Sequence, residues 1–191
     1  MDKALLRKEK LAWRSALEPQ KVAEYSRQIT DNVLNFFDIQ PAHKVHLFFS
    51  IEHKKEVQTL FLFEKILGIV PLQHCFTSFI DYSTNTLCHT QILQNCTWQT
   101  DRYGIPVPFP LMPVRNPRLD IIFVPLVVFN RKNHRIGYGK GYYDKFLSQY
   151  PASTTIGLAF EGQKGEFVAD PHDIPLKYVV TEQCIYFRGR K

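Results

Sequence analysis

Two basic side chains, three glycines and a carboxylate stand within one ten-residue stretch, RIGYGKGYYD, from Arg135 to Asp144. Glycine reaches φ > 0 and lets backbone approach a ligand closely, and the free N–H groups of a first helical turn point at a bound anion. Arg135 and Lys140 add positive charge, and Asp144 offers a hard oxygen ligand for a magnesium ion carried by phosphates. That chemistry is nucleotide-phosphate binding. An ordinary glycine-rich turn with solvated basic residues has the same spacing, and the pattern alone does not decide between them. The stretch is not G-x-x-x-x-G-K-[ST], and Tyr142 stands where G-x-G-x-x-G needs its last glycine.

The elements around it set the geometry. Residues 121–129, IIFVPLVVF, form an unbroken apolar run that reads as one strand buried on both faces, with Pro125 inside it. A polar turn follows at 130–134, then the glycines, then an amphipathic helix over 142–149 with Tyr143, Phe146 and Leu147 on one face. Upstream, Asp2 can cap a helix over 3–17, whose core candidates are Leu5, Leu6, Leu11, Ala12 and Leu17. Lys3, Arg7, Lys8, Lys10 and Arg14 crowd its polar side, which periodicity reads as a solvated basic face. A second helix spans 19–37, and a short apolar strand spans 44–50 with His46 as a packed core histidine. Residues 51–59 lead into a helix ending near Leu67, so Glu56 reads as a carboxylate at a helix start, with Glu52 as the alternative.

Further on, 69–73 reads as a strand, and 76–82 with 86–93 as a hairpin. Residues 101–108 are a loop by their glycine and prolines. Strands are expected at 154–160, 178–181 and 184–187, an irregular segment at 163–169, and a basic tail at 188–191. Alternating strands and helices with buried β-rich runs argue for an α/β layered single domain, 1–191, with a mostly parallel sheet.

A chain of 191 residues with 45% hydrophobic content can bury a substantial core, which excludes a disordered protein. The net charge of +6 suits anionic ligands or nucleic acid, but the basic residues are scattered, which disfavours a nucleic-acid arm. The four cysteines, 75, 88, 96 and 184, show neither C-x-x-C nor zinc spacing and read as reduced thiols. The longest apolar run is nine residues, too short for a membrane span, and no signal-peptide core is evident. A cytoplasmic protein is expected.

RIGYGKGYYD closely resembles the R-[LI]-G-x-G-x-G-[YF]-Y-D signature of the 5-formyltetrahydrofolate cyclo-ligases, and Val124-Pro125 to Phe129-Asn130 resembles the V-P-x-x-x-F-D strand before it. Lys3-Ala4-Leu5-Leu6-Arg7 is similar to the K-x-x-L-R start of the family, Glu56-Val57-Gln58-Thr59 to its E-[IV]-x-T, and His172-Asp173-Ile174-Pro175 to its C-terminal H-D-[IVM]-P. The segment at 104–108 resembles G-I-P-x-P, with Val107 where bacterial members commonly carry Glu. Asn130 replaces the usual Asp, Asn133 a common turn glycine, and the Ser50–Glu56 connection is about two residues long for the family.

The resemblance implies a three-layer α/β/α fold of the NagB/RpiA/CoA-transferase-like group. It implies conversion of 5-formyltetrahydrofolate to 5,10-methenyltetrahydrofolate with ATP as co-substrate and Mg2+ as cofactor. Nucleotide contacts carry over to Lys3, Arg7, Arg135, Ile136, Gly137, Tyr138, Gly139, Lys140, Gly141, Tyr142 and Tyr143, with Arg135, Lys140 and Tyr142 in catalytic roles. Folate contacts fall on Phe49, Glu56, Tyr103, Tyr138, Gly139, Lys140, Gly141 and Tyr142, and the metal on Asp144 and Asp173. The partners expected are small molecules, ATP and a polyglutamylated folate, with neither nucleic acid nor membrane, and the chain is expected to act as a monomer. Two alternatives stand beside this: a divergent ATP-binding member with another substrate, and a basic nucleic-acid or regulatory module.

Overall fold

The computed structural model describes residues 2–188, so the end of the basic tail, 189–191, lies outside the described residues. Helix α1 (Lys3–Ser15) opens the chain, and Asp2 caps it by accepting the Ala4 N–H at 2.9 Å. Asp2→Ala should therefore cost about 1 kcal/mol in denaturant unfolding, with Asp2→Asn close to the parent. Equal stability of all three proteins would remove the cap from the account. Of the core candidates on α1, Leu6 is buried, whereas Leu5 and Ala12 are exposed. The fold instead buries Arg14, against the expectation of a solvated basic face.

Helix α2 (Pro19–Phe36) follows, then β1 (Val45–His46), α3 (Leu60–Leu67), β2 (Cys75–Asp81) and β3 (Thr86–Gln91). Next come β4 (Thr97–Thr100), β5 (Pro106–Phe109), β6 (Pro113–Val114), β7 (Ile121–Pro125), β8 (Val128–Phe129) and β9 (Arg135–Ile136). Helix α4 (Tyr142–Leu147), β10 (Thr154–Leu158), β11 (Tyr178–Val180) and β12 (Ile185–Phe187) complete the order. The main sheet runs β12-β11-β10-β7-β1-β2-β3-β6. Its middle is parallel, from β11 to β2, and its margins are antiparallel.

Residues on β7 alternate between two cores. Ile121 and Phe123 join Val22, Ile29, Leu62 and Ile66 of α2 and α3 on one face. Ile122 and Val124 join Phe146 and Leu147 of α4 on the other. The mostly parallel α/β sheet is therefore covered on both sides, the three-layer arrangement expected. Connection β1–α3–β2 steps one way along the sheet and β7–α4–β10 the other. The direction reverses between β1 and β7, and the carboxyl ends of strands at such a reversal diverge into a crevice.

Several sequence expectations need correction. The apolar run 121–129 is not one strand: β7 stops at Pro125, and β8 turns out of the main sheet to pair with β9. The run is nonetheless almost wholly buried, with Leu126 and Val127 packed in two different cores. Residues 69–73 are not a strand either. After α3, the N–H groups of Ile69 and Val70 bond back to Ile66, and Pro71, which lacks a donor, leads into a 3-10 turn at Leu72–His74. The strand at 44–50 keeps ladder pairing only at Val45–His46, and part of the expected loop 101–108 is strand β5, paired with β4. The hairpin of β2 and β3 forms as expected, and so does the buried His46, fully enclosed with Nε2 2.6 Å from the Ser78 hydroxyl.

Candidate active site

The crevice at the reversal point is a cavity of about 470 Å3. Each wall comes from a different part of the chain. The segment after β1 contributes Phe48, Phe49, Ile51 and Glu56, and the carboxyl-terminal half of β2 contributes Ser78 and Ile80. Residues 135–144 form the floor of the loop side, α1 adds Lys3 and Arg7, and the segment before β11 adds Asp170, His172 and Asp173. Every site residue expected from the sequence, from Lys3 to Asp173 and including Tyr103, lines this one cavity.

The glycine loop is shaped by its neighbours. Gly139 has φ +89°, so the backbone favours glycine there, and the Arg7 guanidinium lies in ordinary contact distance above it. Gly141 takes φ +68° as the residue that starts α4. That helix has only six residues, so its dipole contributes less to anion binding than the longer helix expected. Arg7 Nε donates to the Gly137 carbonyl at 2.8 Å and ties α1 to the loop. Lys140 is exposed at the rim and forms no ion pair among the described residues. Tyr142 reaches across the mouth and donates to Asn85 Oδ1 at 2.6 Å.

Arg135 is directed into the fold. Its Nη2 donates to Asp144 Oδ1 at 2.8 Å and its Nη1 to the Ile174 carbonyl at 2.7 Å, with the side chain 4% exposed. Burial draws its pKa below the ordinary arginine value, and the Asp144 carboxylate opposes that shift. Asp144 Oδ1 also accepts the Ile174 N–H, which places it beside Asp173. Lys3 Nζ bridges Asp170 and Asp173 at 2.6 and 2.5 Å. Burial raises the Asp173 pKa, but hydrogen bonds from Lys3 and the Asp170 N–H prevail and hold it below the usual carboxylate range. Asp170, His172 and Asp173 bring ligand atoms within 4.8 Å of one another. Asp170 and His172 were not among the metal candidates read from the sequence, and two such residues beside an Asp-Ile-Pro turn gave no spacing signal of their own.

Glu56 does not sit at a helix start, because α3 begins at Leu60. It lies in irregular chain, 5% exposed, where Oε2 accepts the Ile51 N–H at 2.7 Å and Oε1 accepts the Tyr138 hydroxyl. The alternative, Glu52, is exposed on a short 3-10 turn outside the cavity. Phe49 packs edge-on to Phe63 and against Trp98, forming an apolar wall. The departures at 130 and 133 are absorbed structurally. Asn130 Oδ1 accepts the N–H groups of Lys132 and His134, and Asn133 takes the left-handed conformation at φ 58°.

A doubly covered α/β sheet with a ligand cleft at its reversal point, basic on one wall and apolar on the other, is the class these elements define. The model of the 5-formyltetrahydrofolate cyclo-ligase family matches residues 1–182. The 5-formyltetrahydrofolate cyclo-ligase of Mycoplasma pneumoniae is 31% identical over 193 residues, covering 96% of this chain and all of that protein. That of Haemophilus influenzae is 33% identical over 168 residues, 82% of this chain and 84% of its own. Among solved structures, the 5,10-methenyltetrahydrofolate synthetase of Aquifex aeolicus has TM-score 0.83 at 27% identity, covering all of this chain and 96% of its own. The 5,10-methenyltetrahydrofolate synthetase of Mycoplasma pneumoniae has TM-score 0.75 at 29% identity, over 95% and 99%. This chain belongs to the 5-formyltetrahydrofolate cyclo-ligase family and is an enzyme of that ligase class. No helix among its described residues is long and apolar enough to cross a membrane.

Proposed function

We propose that residues 1–191 act as one catalytic unit that closes 5-formyltetrahydrofolate to 5,10-methenyltetrahydrofolate, consuming ATP and releasing ADP and phosphate. The observation that carries this reading is the convergence of all the expected site residues, distant in sequence, on one cleft. A formamide oxygen is a poor leaving group. Transfer of the γ-phosphoryl group to it makes the formyl carbon electrophilic. N10 then attacks that carbon and loses its proton, the C–O bond breaks, and phosphate departs as the ring closes. The protein's task is positioning and charge stabilisation, with little covalent chemistry of its own.

Lys3, Arg7 and Lys140 stand where they can neutralise phosphate oxygens, and the loop from Ile136 to Tyr143 supplies the backbone that receives them. Glu56, with both oxygens oriented from behind, suits the paired N–H donors of a pterin ring, and Phe49 and Tyr103 suit its apolar faces. Magnesium fits the donor set: Asp144 Oδ2 accepts no hydrogen bond among the described residues, and the neighbouring Asp173 adds a second hard oxygen. Held by these two carboxylates, Mg2+ would neutralise charge on the transferring phosphates. Lys3 must then leave Asp173 for the phosphates, an exchange of one charged partner for another.

Purified protein with 5-formyltetrahydrofolate, ATP and Mg2+ should develop the near-ultraviolet absorbance of the methenyl product. The band should stop growing when ATP is omitted or the metal is chelated. ATP binding without the band would leave a phosphate site acting on another substrate. Absence of both, in folded protein, would sink the reading.

A further inference from the structure

We infer that Arg14 is a positioning residue for the folate-facing carboxylate Glu56 and acts on it through Tyr138; this rests on the proposed role of Glu56. Arg14 is 2% exposed at the last turn of α1, outside the cavity lining. Its Nη2 donates to the Tyr138 hydroxyl at 2.5 Å, its Nη1 lies 3.4 Å from the Leu126 carbonyl, and its buried Nε has no partner. No carboxylate pairs with it directly among the described residues. A buried guanidinium so poorly matched to acceptors is costly on its own. The nearby anion that compensates it is Glu56, joined to it by one phenol oxygen.

Chemistry fixes the direction of this chain. Arginine has donors only, so the Tyr138 oxygen must accept from Arg14 and use its single proton on Glu56. Glu56 therefore receives a donated hydrogen bond on Oε1 and another, from the Ile51 backbone, on Oε2. Together they fix the plane of the carboxylate. Lys54 Nζ lies over the Tyr138 ring, 4.3 Å from its centroid, and holds the same side chain from the other direction. Tyr138 also belongs to the glycine loop, but its hydroxyl is turned to Glu56 on the folate side of the cleft.

The test uses full-length variants in the ring-closure assay, with thermal melts run alongside. Arg14→Met and Tyr138→Phe should each raise KM for 5-formyltetrahydrofolate about tenfold, while KM for ATP stays within about twofold. The double variant should be no worse than the worse single, because both break one chain. Arg14→Lys should recover part of the loss. If Arg14→Met does not fold, Arg14→Gln, which removes the charge but keeps a donor, is read in the same way. Multiplying effects, or equal rises in both KM values that follow the loss in melting temperature, would overturn the inference. Glu56→Gln separates the two layers. An unchanged folate KM there removes the Glu56 reading and the relay with it. A raised folate KM in Glu56→Gln, with Arg14→Met unaffected, removes the relay alone.

Discussion

Arg135→Ala is expected to lower kcat/KM for ring closure by about ten- to a hundredfold, the range for losing a residue that orients metal-binding carboxylates from behind. The guanidinium joins three parts of the cleft: it starts the glycine loop, grips Asp144 Oδ1, and grips the Ile174 carbonyl beside Asp173. Without it, both carboxylates assigned to the metal lose their common tether, and the loop loses its anchor. A stability loss of about 2–3 kcal/mol should accompany this, below that of a fully enclosed ion pair because the Asp144 side chain is 28% exposed. Asp144→Asn keeps the volume and one acceptor, so it should melt closer to the parent yet lose comparable activity. Assays well below the melting transition decide the matter. A folded Arg135→Ala protein with near-parent kcat/KM would restrict this arginine to a structural role.

Gly162→Ala is expected to destabilise the protein by about 3 kcal/mol, at the upper end for overpacking, and to raise KM for ATP. An added Cβ at Gly162 would fall 2.1 Å from Cζ2 and 2.5 Å from Cη2 of Trp13. A planar indole has few ways to give this space, and the expected relief is a shift of α1, which carries Lys3, Arg7 and Arg14. Trp13→Leu in the Gly162→Ala background should restore space and recover ATP affinity. If Gly162→Ala melts like the parent, the contact relaxes without moving α1 and the coupling does not exist.

The parts legible in the sequence were those governed by short-range rules. Glycine at 139 and 141 marked the positive-φ loop, Asp2 marked the start of α1, and the polar turn at 83–85 between two β-rich runs marked the β2–β3 hairpin. The resemblance then supplied which separated segments belong together, and the cleft contains all of them. Harder to read was the apolar run 121–129. Its hydrophobicity reported burial correctly, but burial is common to a strand and to the chain leaving it, and only the pairing of β8 with β9 shows where β7 ends.

Charge was the least legible property. Arg14 and Arg7 stand on the same helix, each four residues after a lysine, and nothing local separates the buried one from the half-exposed one. Arg14 is buried because Tyr138, 124 residues further on, lies above it, and Asp173 meets Lys3 across 170 residues. The sequence by itself determined the residue types, the backbone freedom at the glycines and the two periodicities that make a layered α/β sheet. Tertiary structure alone decided which charges pair, which are enclosed and which face the ligand, because desolvation and Coulomb energy depend on neighbours that only folding brings together.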